Sequence, residues 1–200
     1  MKRAFALIAL LALVLSGCGS EAAPPMYIQP AELNEEEAAV AKLLGADTEQ
    51  HLFDVALDGT AKKVSVNTYE LKDGAWELIS GGGGMSLKDG VKKGRMAFGF
   101  RDLRGEYREA LQFGEDFTAV TYGSPEEEAE DGLGCTTSLL AGRAEIVYER
   151  EIPIAIQINT GKNEVRSYSP DYFFQPEAYE KLGYEHVYAL TVTFSQEALS

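Results

Sequence analysis

The chain has 200 residues, 10% of them aromatic, with 32 acidic against 18 basic side chains and a net charge of −14. That balance excludes a protein that grips nucleic acid by its phosphates or an anionic bilayer by charge alone, since both need clustered Lys and Arg. Two cysteines make no disulfide scaffold, and two histidines without HExxH or CxxC spacing make no zinc motif, so neither a metal nor another cofactor is expected.

The chain opens with a short basic head, Lys2 and Arg3, followed by an unbroken apolar run from Ala4 to Val14. This is the pattern of a secretory signal, and the run is shorter than the roughly 20 residues that a spanning helix needs. Leu15-Ser16-Gly17-Cys18 closes it and resembles the lipobox of bacterial lipoproteins. The resemblance covers residues 1–18. It implies cleavage after residue 17, a diacylglycerol on the Cys18 thiol, and an extracytoplasmic protein tied to the cell membrane. Gly19 follows, so the Asp that can retain such proteins at the inner membrane is absent. Removal of residues 1–17 takes away Lys2 and Arg3 and no acidic residue, which moves the net charge from −14 to −16. The lipid is then the membrane-binding element, and the remaining length suits one domain.

Residues 18–32 are small, polar and Pro-rich and read as a flexible tether, with a single domain over 33–200. A helix follows, with Asn34 and Glu37 placed as a capping box, acidic residues in its first turn and a Val40, Leu43, Leu44 stripe. From Gln50 the period becomes two. Phe53, Val55 and Leu57 alternate with polar or small residues, and Val64 and Val66 open a strand that changes parity at Tyr69 and Leu71, as a bulge near Asn67-Thr68 would produce. Asp73-Gly74 predicts a hairpin into Trp76 and Leu78. Ser80 to Gly84 reads as a loop, because four glycines offer nothing to pack. Further strands are expected around Met96–Phe100, Tyr107–Phe113, Phe117–Tyr122, Leu139–Tyr148, Ile152–Asn159, Val165–Tyr168 and Tyr188–Phe194, with a surface turn at 124–128 and short helical turns at Pro170 and from Pro176 to Leu182. One helix and about nine or ten short strands predict a mainly β protein, an antiparallel, jelly-roll-like β-sandwich.

Candidate sites are few. Cys135 is the one thiol left after lipidation, and His186-Val187 lies 51 residues beyond it, the spacing of cell-wall Cys/His peptidases. The Asp-Cys-Ser helix start of that family is missing. Arg143, eight residues after Cys135, matches sortase spacing, but the Thr-Leu-x-Thr-Cys run is replaced by Asp131-Gly132-Leu133-Gly134. Carboxylates are plentiful, though no pair stands out for glycosidase chemistry. The alternative for binding is aromatic: Trp76, Tyr172, Phe174, Tyr179 and Tyr184, the last four in a Pro-rich connection, suit stacking on sugar or docking a protein. The expected function is a non-catalytic module that binds an envelope protein or glycan. The alternatives are a hydrolase or peptidase using Cys135, with His186, or a carboxylate pair, and a structural subunit of an envelope complex.

Overall fold

A computed structural model describes residues 26–43, 50–105, 107–123 and 132–198. The leader, Cys18, the first part of the tether and the turn expected at 124–128 lie outside these residues. The elements run β1 (Tyr27–Pro30), α1 (Glu35–Leu43), β2 (Gln50–Ala56), β3 (Lys63–Lys72), β4 (Ala75–Ser86), β5 (Lys93–Phe100), β6 (Tyr107–Phe113), β7 (Asp116–Tyr122), β8 (Gly134–Leu139), β9 (Ala144–Glu145), β10 (Ile152–Thr160), a 3₁₀ turn (Pro170–Phe174), α2 (Glu177–Glu180) and β11 (His186–Ser195). They form two antiparallel sheets, one ordered β7-β6-β5-β2-β1-β9 and the other β4-β3-β11-β10-β8. The protein is a β-sandwich.

Alternation builds its interior. Phe53 and Val55 from β2, Met96 and Phe98 from β5, and Leu111 and Phe113 from β6 meet Val64, Val66, Leu190, Val192 and Phe194 of the opposite sheet, all at most 4% exposed. Burial of each such side chain contributes about 1.5–3 kcal/mol. All strands lie between Tyr27 and Ser195, so the chain from Gly19 onward carries the whole described fold.

The tether ends sooner than the sequence suggests. Tyr27–Pro30 is a strand that pairs with β2 on one side and β9 on the other, and Ile28 is fully buried. Met26 and Ile28 point inward with the β period, but two residues are too short a run to reveal it. Ser80 to Gly84 is also strand rather than loop, within β4. The parity change in β3 needs no bulge in that strand, which keeps continuous register with β11. The irregularities lie between β3 and β4. Tyr69 and Leu71 face outward because that side of the sheet is covered too.

The cover is a second apolar cluster, in which Ile156, Ile158, Val187 and Ala189 pack beneath Phe173 and Tyr179. The expected strand 139–148 divides. β8 stops at Leu139, and the chain crosses to the other sheet as β9. No strand forms at Val165–Tyr168, where the Tyr184 hydroxyl bonds the N–H and carbonyl of Arg166 in place of a neighbouring strand.

Candidate functional site: a polar pocket at one end of the sandwich

Interior positions near one end of both sheets are polar, although they continue the apolar parity of their strands. In β3 the inward series Val64, Val66, Thr68 ends on Glu70. In β6 Glu109 sits between Tyr107 and Leu111, and in β11 His186 precedes Tyr188. A pocket of about 680 Å³ opens here, lined by Glu70, Ser80, Arg104, Tyr107, Tyr122 and His186 among others.

The loop from Arg101 to Gly105 forms part of its wall and is fastened from β10. Gln157, fully buried, accepts from the Leu103 N–H at 2.7 Å and donates to the Arg101 carbonyl and the Thr137 hydroxyl, each at 3.1 Å. Asp102 caps the turn by accepting from the Arg104 N–H at 2.9 Å. The Ile152–Ile158 alternation therefore reads only part of β10. Past the register shift between Pro153 and Ala155, Ile156 and Ile158 face the outer cluster and Gln157 faces the interior.

One wall is a hydrogen-bonded cluster around Glu70. Its Oε1 meets the His186 Nδ1 at 3.0 Å and accepts from the Tyr188 hydroxyl at 3.2 Å, and its Oε2 pairs with Lys72 at 2.8 Å. The His186 ring stacks on Tyr188 at 5.9 Å. Burial acts to raise the Glu70 carboxyl, but Lys72, His186 and Tyr188 together hold it below its usual range. Burial, then the Glu70 charge, pushes the Tyr188 phenol up.

From the other sheet, Tyr107 and Tyr122 stack at 5.0 Å. Behind them Glu109 is 0% exposed. It accepts from the Gly84 N–H at 2.9 Å and the Tyr122 hydroxyl at 3.2 Å, while its Oε2 has no partner among the described residues. Burial raises the Glu109 carboxyl, and these two donors offset only part of the effect. Tyr122 is pushed up to about 12 by burial and by Glu109. Gly83 of β4 is explained here, since a Cβ on it would strike the Glu109 carboxylate.

Of the residues that the sequence offers as candidates, His186 and the cluster member Tyr188 line this pocket. Cys135 pairs across β8–β10 with Asn159, which pairs across β10–β11 with His186. Two strand spacings of about 4.8 Å thus separate the thiol's backbone from that of the histidine. The Cys135 Sγ contacts the Arg101 carbonyl at 3.9 Å, and burial, then Asp102, pushes the thiol up, the opposite of what a thiolate nucleophile needs. Much of the aromatic connection packs into the second core. Tyr179 is 1% exposed there, so its face is unavailable for stacking on a ligand. Trp76 donates to the Phe173 carbonyl at 2.7 Å and stacks on that ring at 5.2 Å. Tyr172 stacks on Tyr168, and the Lys162 ammonium lies over Tyr184. Phe174 is the exposed member, with Arg150 over it at 5.2 Å. Among the described residues no cluster of His, Cys, Asp and Glu suits a metal ion. No known family model, curated protein or solved structure matches the chain.

Proposed function

We propose that the protein is an extracytoplasmic lipoprotein, held by a lipid on Cys18, and that it binds a saccharide unit of an envelope glycan in the end pocket. The observation that carries this reading is the convergence of the half-buried rings of Tyr122 and His186, each backed by a buried tyrosine (Tyr107 and Tyr188), with the carboxylate of Glu70 on one pocket. Aromatic faces suit the C–H surface of a sugar ring, while Ser80 and Glu70 suit its alcohols. The opposed shifts of Glu70 and Glu109 favour a second reading, a two-carboxylate hydrolase. Binding is the better reading because Glu109 is buried behind Tyr122, and an acid catalyst must reach the leaving group.

Titration of the Gly19–Ser200 chain with soluble peptidoglycan disaccharide fragments, followed by NMR, is expected to move the signals of Gly105, Tyr122 and His186. Tyr122→Ala is expected to weaken binding about tenfold. Unmoved pocket signals at saturating fragment would refute the site, and turnover of the fragments would favour the hydrolase. The anchor is tested separately: Cys18→Ala is expected to move the protein from the membrane to the soluble fraction, and its retention in the membrane would end that part of the proposal.

A further inference from the structure

One margin of the second sheet is open. β8 ends that sheet, paired with β10 on one side and with no strand among the described residues on the other. The Leu140 N–H bonds the Ile154 carbonyl, and the register puts Ser138, Thr136 and Gly134 in the same phase against Ile156, Ile158 and Thr160. These residues direct their backbone groups at β10, so Cys135, Thr137 and Leu139 direct their N–H and C=O groups away from the sheet. None of the three has a backbone partner among the described residues. The Cys135 and Thr137 side chains turn inward, toward Arg101 and Gln157, yet both residues are exposed because the margin beside them is open. The 161–169 connection meets β8 through the Ser167 and Ser138 hydroxyls, and a cleft of about 430 Å³ separates α1 from Leu139 and Leu140. Sheet margins are commonly blunted by shortness, bulges or charge. β9 has two residues, and β4 is broken by two register shifts against β3. β8 has none of these devices: its six residues keep continuous register with β10, and residues 132–142 include no charged side chain.

The backbone selects the conformation of the occupant. Evenly spaced open N–H and C=O groups are matched by another extended strand, whereas a helix has already bonded its own. Symmetry and side chains select the source. The open positions are symmetric about Thr137. A copy turned about an axis through that residue sets Thr137 against Thr137, Cys135 against Leu139 and Thr136 against Ser138. The open residues of the two strands then exchange about six N–H···O=C bonds, and the threonine and serine neighbours are favourable cross-strand pairs. No charge is buried or opposed along the strand pair, which is what two copies of a chain with net charge −14 need for close approach. The charged groups that act on Cys135 are Asp102 and Arg101, of opposite sign, and they lie beside the end of the strand rather than at the axis.

We propose that β8 pairs antiparallel with β8 of a second copy, joining two five-stranded sheets into one continuous sheet. Sedimentation of the Gly19–Ser200 chain is expected to show a dimer that grows with concentration up to about 1 mM. Where about nine-tenths of the chain is dimeric, amide exchange at Cys135, Thr137 and Leu139 is expected to be about tenfold slower than in dilute solution, with Thr136 and Ser138 unchanged. Thr137→Pro removes a donor that points out of the sheet, so the variant is expected to fold and to weaken the dimer about tenfold or more. If that variant unfolds, the exchange pattern of the parent still decides. A monomer at every concentration would overturn the proposal. A dimer in which those three amides exchange as in the monomer would also overturn it, since another surface, such as the β7 margin or the face beside α1, would then hold the copies together. Undiminished dimerisation of folded Thr137→Pro would do the same.

Discussion

Gly84→Ala is expected to destabilise the protein by about 3–4 kcal/mol. Gly84 lies in β4 at φ +123°, a backbone region that is nearly closed to residues with a Cβ. A Cβ there would collide with the Val64 carbonyl oxygen and lie 2.9 Å from the Ser65 Cα. Both are backbone atoms of the paired strand β3, so neither can swing aside. The Gly84 N–H also donates to Glu109, and any retreat of β4 would lengthen that bond. Gly90→Ala is the control. Its φ is +80°, yet nothing lies within 4 Å of the added carbon, so only the conformational cost of about 1 kcal/mol remains. Urea unfolding of both variants separates the terms, and equal losses would refute the close-approach account.

Glu109→Gln is expected to stabilise the protein by about 1–3 kcal/mol at neutral pH, with the gain fading in acid. The amide keeps an acceptor for the Gly84 N–H and the Tyr122 hydroxyl and removes the buried charge. The raised carboxyl of Glu109 means that the folded state holds this proton more tightly than the unfolded chain. Its contribution to stability is complete below the unfolded value of about 4.3, falls as pH rises toward the folded value, and is level beyond it. The difference between variant and parent should grow across that window. Glu70, lowered on folding, has the opposite sign, with stability present above its unfolded value and lost as pH falls through the folded one. The comparison cancels Glu70, which is common to both proteins. Denaturant unfolding from pH 4 to 8 that gave parallel curves would refute a perturbed Glu109. Glu109→Leu is expected to destabilise by about 1–3 kcal/mol, because both donors lose their acceptor in the interior.

Local signals led to much of this fold. The Asn34–Glu37 capping box forms with reciprocal bonds of 2.9 and 3.0 Å, and Asp73-Gly74 turns β3 into β4 with both residues at positive φ. The alternation at Phe53 and Val55 points into the core as read. Periodicity failed where a sheet is covered on both faces, as at Ile156 and Tyr69, because a second layer of aromatics makes outward positions apolar too. It failed again at Ser80 to Gly84, where glycine marks a close approach of β4 to Glu109 and β3 rather than freedom to turn. The helix stripe at Val40 and Leu43 is present but unpacked, so a cap and a stripe fixed the element and not its partner. The end pocket did leave a signal that parity counting can find. Glu70, Glu109 and His186 each occupy an inward position in a strand whose other inward residues are mostly apolar. Three such breaks become one site only when the strand order places them at the same end, and pairing between strands distant in sequence is not written in local periodicity.

The position of β1 bears on how the domain responds to mechanical load. The strand nearest the N-terminal side of the chain is not at a sheet margin. It lies between β2 and β9, antiparallel to both, with Ile28 in the core. Tension drawn from that side runs along the strand, at right angles to its hydrogen bonds. The bonds of Tyr27–Pro30 are then sheared together instead of being peeled one after another. Detaching β1 by such a pull therefore requires its pairing with β2 and with β9 to fail together.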